Sequence, residues 1–146
     1  AEEGYSAEQI ARQLLDAKKN IVIVALVDTL EYLQRGGRLS KTAAIAGGIL
    51  SIKPVIGLVD GQIKVIAKGR GNKQANSLMN QEVKTAGIDP DMPAMLGYTG
   101  TDDALLERYC SDSGDLWPSE TPRSIVCGVV GTHAGPGAVA LAFFAL

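Results

Sequence analysis

Aromatic residues make up only 5% of this 146-residue chain, its formal net charge is -2, and it contains a single histidine. Few rings and a slightly acidic balance exclude a base-stacking platform and a broad phosphate-binding surface, so no nucleic-acid partner is expected. The two cysteines, Cys110 and Cys127, form no CxxC pair. One histidine does not complete a zinc set, so neither a metal site nor a disulfide framework is expected. Two reduced thiols fit a cytoplasmic protein. No apolar run approaches the ~20 residues needed to span a bilayer, so no stable membrane insertion is expected. The acidic, polar start Ala1-Glu2-Glu3 is not a signal peptide. It lacks an initiator Met and begins mid-pattern, as a fragment or processed chain would. No internal repeat is visible.

The composition, 46% apolar and 21% charged, is that of one soluble globular domain with room for a core. Ser6-Ala7-Glu8-Gln9 reads as a capping box opening a helix over 7–18. Ile21 to Val27 is a continuous, mostly β-branched run, expected as a strand covered on both faces. Asp28 or Thr29 caps a short helix ended by Gly36 and Gly37, and Ser40 opens another over 41–49. Lys53 to Val59, Asp60-Gly61 and Gln62 to Ala67 form the clearest hairpin signal. A helix over 72–85, a strand over 94–98, a helix over 102–109 and a loop over 111–123 follow. Ser124 to Val130 and Ala138 to Phe144 are expected as strands. The fold class is therefore α/β, two-layer, with a mixed sheet containing a β-hairpin and helices packed on it.

Four segments carry candidate chemistry. Gly131-Thr132-His133-Ala134-Gly135-Pro136-Gly137-Ala138 places the lone imidazole, a hydroxyl and backbone N–H groups in one loop, which suits an anion or carboxylate. Arg35-Gly36-Gly37-Arg38 is a fork of donors beside a helix start, or a solvated capping charge. Lys68-Gly69-Arg70-Gly71-Asn72-Lys73 is basic and glycine-rich but lacks the spacing of a Walker A loop. It suits an anion or partner contact, or is a solvated turn. In Gly97-Tyr98-Thr99-Gly100-Thr101-Asp102-Asp103 the acids read as helix caps. No Ser-His-Asp or Cys-His order is visible.

Several runs resemble the DegV family of bacterial fatty-acid-binding proteins. They are Asp28-Thr29-Leu30-Glu31-Tyr32-Leu33-Gln34-Arg35-Gly36-Gly37-Arg38-Leu39-Ser40, Ile52-Lys53-Pro54-Val55, Asp60-Gly61 with Arg70-Gly71, Gly97-Tyr98-Thr99-Gly100, and the segment 131–138. They occur in family order over nearly the whole chain. The resemblance covers the C-terminal domain of a two-domain fold, so residues 1–146 read as a DegV-like C-terminal domain. Its own N-terminal domain, which in the family carries Ser and Thr for the fatty-acid carboxylate, has no counterpart here.

The resemblance implies a lipid carrier rather than an enzyme. It binds a long-chain fatty acid and presents it to a separate fatty acid kinase, which uses ATP to make the acyl phosphate. No cofactor is implied. His133 and Thr132 would lie at the ligand carboxylate, and Arg38 and Arg70 toward the mouth where the kinase approaches. Ala134 departs from the hydroxyl residue common at its position. The apolar segments over 42–50 and 138–144 are candidates to wall an acyl tunnel, or are plain core. Two other readings stay open: an enzyme acting on a small acid or carbonyl with His133 as base or nucleophile, and a structural dimerisation domain.

Overall fold

The structure is a computed structural model and describes residues 3–40 and 51–146. Helix α1 (Ala7–Ala17) starts at Ser6, whose hydroxyl accepts from Gln9 N–H while the Gln9 side chain accepts from Ser6 N–H. Strand β1 (Ile21–Leu26) leads to the short helix α2 (Glu31–Arg35). Strands β2 (Ile52–Val59) and β3 (Gln62–Arg70) form the hairpin. Asp60 and Gly61 both have positive φ (54° and 73°), the pair a tight two-residue turn demands. Helix α3 (Gly71–Ala86), strand β4 (Met95–Tyr98), helix α4 (Ala104–Ser113), strand β5 (Arg123–Ile125), helix α5 (Gly128–Ala134) and strand β6 (Val139–Phe144) complete the order. The helix expected over 41–49 lies outside the described residues, as does the candidate wall over 42–50.

The six strands form one sheet in the order β3-β2-β1-β6-β4-β5, antiparallel throughout except for the parallel β4–β5 pair. The expected mixed α/β architecture is what is found. Helices α3 and α4 cover one sheet face. Ala75, Met79, Val83, Leu106 and Tyr109 pack there on Val24, Leu26, Val55, Leu96, Val139, Leu141 and Phe143. Trp117 closes this core, donating its indole N–H to Tyr109 Oη at 2.9 Å and meeting Phe143 edge-on at 5.8 Å.

On the opposite face a smaller cluster joins Val27, Leu33, Leu39, Ile56 and Ala138, with Ala134 packed against it. Beyond that cluster the sheet is apolar and, among the described residues, uncovered: Ile21, Ile23, Leu58 and Met95 are 42%, 37%, 47% and 50% exposed. The expectation that β1 is covered on both faces is thus corrected. Its unbroken apolar run arises because the uncovered face is itself apolar. The segment over 138–144 is likewise half core: Val139, Leu141 and Phe143 are buried, and only Ala140, Ala142 and Phe144 turn to the other side.

A second correction concerns 124–130, expected as a strand. Pairing stops at Tyr98↔Ile125, and Val126 N–H takes the Tyr98 carbonyl. With β4 at an end, the next backbone groups find partners only within their own chain, and α5 forms in spite of its two valines. Helix α4 also runs four residues past its expected end, into the predicted loop, and is followed by a 3₁₀ turn over Gly114–Leu116.

The strand pairings bring one end of the sheet into focus. Leu26 pairs with Val55 and Val139, Tyr98 with Val139 and Ile125, and Ile52 with Arg70. The C-terminal ends of β1, β3, β4 and β5 therefore meet the N-terminal ends of β2 and β6. All connections following those ends, including 27–40, 99–103 and 126–138, emerge along this one edge.

Candidate functional site

His133 sits in the last turn of α5, not in a loop after a strand as its glycine neighbours suggested. Its half-buried ring lies directly on Gly36, where a Cβ would come within 2.0 Å of Nδ1 and 2.7 Å of Cε1. Gly36 has φ -76°, a conformation open to any residue. Here glycine serves close approach, whereas Gly37, at φ 70°, is the residue that turns the chain left-handed.

The Nδ1 atom of His133 is enclosed and has no hydrogen-bond partner among the described residues, while Nε2 is not enclosed in this way. A buried N–H without an acceptor costs more than an idle lone pair. In a neutral ring this enclosure favours the Nε2–H tautomer, and Nε2 is the nitrogen left open to a ligand.

Thr132 is exposed and donates its hydroxyl proton to Gly128 C=O at 2.7 Å, so it meets an anion as a donor only when that bond is released. Arg38 is exposed, and its Nη1 donates to Gly36 C=O at 2.9 Å. The same glycine carries the His133 ring, so Arg38 and His133 are neighbours through it. Arg38 also borders an open groove of about 940 Å³, lined on its apolar side by Leu39, Ile63 and Val65 and on its basic side by Lys64 and Lys68. Arg70 lies on the outer strand β3, three strand positions from β6, or ~14 Å at the usual ~4.8 Å spacing. The fold gathers His133, Thr132 and Arg38 and leaves Arg70 apart. In the basic loop, Gly69 allows β3 to touch α3, since a Cβ there would meet Ala75 N at 2.4 Å. Arg70 N–H is taken by Gln74 Oε1. Asp103 is the N-cap of α4 but makes no side-chain cap bond; Asp102, one residue earlier, accepts from Ala104 N–H at 3.2 Å.

Sequence reasoning missed the packing of four residues. The ring of Tyr32 packs on Gly135, where a Cβ would lie 2.4 Å from Cδ2. Thr99 reaches the segment after His133 with its hydroxyl as well as its backbone. Asp28 and Lys53 form an ion pair at the same sheet edge. All lie inside the quoted runs, but only their three-dimensional packing distinguishes them from neighbouring residues. Among the described residues no group of three or more His, Cys, Asp or Glu could hold a metal ion, and no helix is long and apolar enough to cross a membrane.

A family model described as "Uncharacterised protein, DegV family" matches residues 1–146. A DegV domain-containing protein of Caldanaerobacter subterraneus subsp. tengcongensis is 39% identical over 145 residues, covering 98% of this chain and 51% of the relative. A crystal structure of a fatty acid binding DegV family protein from Streptococcus agalactiae superposes with TM-score 0.81 at 30% identity, covering 99% of this chain and 52% of that one. The fatty acid kinase (Fak) B3 protein of Streptococcus pneumoniae, loaded with linoleic acid, has the same fold, with TM-score 0.81 at 18% identity, covering 99% and 51%. The chain spans about half the length of the curated relatives it matches.

Proposed function

The chain belongs to the DegV family, and on that premise we propose that it is the C-terminal domain of a carrier. This carrier binds a long-chain fatty acid and presents it to a fatty acid kinase. One observation carries the reading: the lone imidazole is locked on Gly36 with Nδ1 enclosed, so Nε2–H is its available donor. A carboxylate is the natural acceptor for such a donor, and a hydrogen bond to a charged group contributes ~1.5–3 kcal/mol. Below this edge the bare apolar sheet face of Ile21, Ile23, Leu58 and Met95 offers contact to an acyl chain, worth ~0.8 kcal/mol per methylene buried. The chain thus supplies most of the affinity and the head-group contact sets orientation.

Arg38 stands beside the head-group position and Arg70 at the outer strand of the same edge, both exposed toward an approaching kinase. In this reading the domain binds and presents the acid, and the kinase supplies the chemistry. The N-terminal domain closes the cleft from the other side.

Two experiments test this. Mass spectrometry of lipid released from the denatured full-length protein should yield long-chain fatty acid. Incubation with ATP should give acyl phosphate only when a fatty acid kinase is added. Protein that releases no lipid and turns over nothing with the kinase overturns the reading.

A further inference from the structure

We propose that Thr99 is the positioning residue of the His133 site, acting through its hydroxyl. The inference rests on the carrier reading for its consequence but on hydrogen-bond geometry for its substance. Thr99 follows directly on β4 and is buried, 7% exposed. Its Oγ1 donates to Gly135 C=O at 2.6 Å and accepts from Ala138 N–H at 2.9 Å. Its backbone adds two more bonds to the same segment: Thr99 N–H to Ala138 C=O at 3.0 Å, and Gly137 N–H to Thr99 C=O at 2.9 Å. One residue just after β4 therefore clasps the whole turn 135–138 that joins α5 to β6.

The turn in turn sets the ring. Gly135 ends α5, donating its N–H to Gly131 C=O at 2.8 Å, two residues beyond His133. Proline and two left-handed glycines make up the turn, Gly135 at φ 79° and Gly137 at φ 75°. Such a sequence has much conformational freedom of its own and needs an external tie. From the other side Tyr32 presses on Gly135 and Gly36 on the His133 ring. The ring is thus held between α2 and a turn whose only buried side-chain anchor among the described residues is the Thr99 hydroxyl. Both bonds to that hydroxyl are buried, so removing it leaves an enclosed C=O and an enclosed N–H without partners. The turn must then shift to recover them, carrying the end of α5 with it. Thr99 touches no ligand position itself.

Because the chain has one histidine, its imidazole nitrogens give an unambiguous NMR signature. Thr99→Val keeps shape and backbone bonds and removes both hydroxyl bonds, and Thr99→Ser keeps both. In unliganded protein, wild type and T99S should show one Nε2–H tautomer, while T99V should show a tautomer mixture and at least tenfold faster exchange of the Ala138 amide. In the full-length protein T99V should weaken binding of palmitate about tenfold and of hexadecanol less than twofold. Should T99V fail to fold, Thr99→Ala, which cannot overfill the site, takes its place. Imidazole signals unchanged in T99V or T99A overturn the role of Thr99 and leave the carrier reading standing. An altered imidazole in a protein that binds no fatty acid keeps the role and overturns the carrier.

Discussion

Replacing Gly36 by alanine separates the placement of His133 from the stability of the fold. The backbone there, φ -76° and ψ -4°, accepts alanine without strain, and removing a glycine gains ~0.5–1 kcal/mol from the unfolded state. The new methyl, however, would stand 2.0 Å from Nδ1 of His133, where ordinary contact begins at 3.4 Å. The ring must retreat by about 1.4 Å, and overpacking of this kind costs ~1–3 kcal/mol. The net loss of stability is then ~0–2.5 kcal/mol, small enough to leave the protein folded. The same displacement takes a 2.8 Å hydrogen bond out of range, forfeiting ~1.5–3 kcal/mol of head-group interaction, or ~10- to 100-fold in affinity. Gly37→Ala is the control. Nothing lies within 4 Å of its Cβ position, but φ is 70°, so the substitution costs ~1–2 kcal/mol in stability and moves no ligand group. Denaturant titration together with fatty-acid binding to the full-length protein reads both effects. Gly36→Ala binding within twofold of wild type, or Gly37→Ala losing as much affinity, would refute the argument.

Other outcomes follow from the core. Tyr109→Phe leaves the buried Trp117 indole N–H without its acceptor, which should lower unfolding free energy by ~1–2 kcal/mol in urea titration; an unchanged midpoint would remove that bond from the account. Gly69→Ala drives a methyl into the Ala75 backbone at 2.4 Å from N and 2.7 Å from Cα, and should cost ~3 kcal/mol by the same assay because backbone cannot rotate away; a loss under ~1 kcal/mol would show that α3 moves freely. Burial raises the Cys110 thiol above its ordinary value near 9.0 and the Tyr109 phenol above 10.0. In each case the unfolded chain ionises first. Stability is therefore complete at neutral pH and falls as pH climbs past 9 and then 10; Tyr109→Phe should lose the steeper upper part, and a slope unchanged in that variant would exclude the phenol as its source.

Much of this architecture is legible in the residues. The capping box at Ser6, the Asp60-Gly61 turn and the β-branched run of β1 each state a local preference that tertiary packing upholds. Where expectation failed, a distant partner decided. The run 124–130 has strand propensity, yet β4 offers pairing only as far as Tyr98. The glycines of 36–37 look alike in sequence and differ in φ, because one is shaped by a ring arriving from α5. The site divides the same way. His133 stood out as the single imidazole among glycines, and Arg38 as a donor in a glycine turn. Thr99, 34 positions away in the chain, has no local pattern that marks it; only strand order brings it to the turn 135–138.

The most direct measurement compares a fatty acid with its alcohol. With His133→Ala in the full-length protein, palmitate affinity should fall at least tenfold while hexadecanol affinity stays within twofold of wild type, because the substitution removes a carboxylate donor and leaves the apolar cleft intact. Equal losses for both ligands, or no loss for either, would contradict the assignment of the imidazole to the head group.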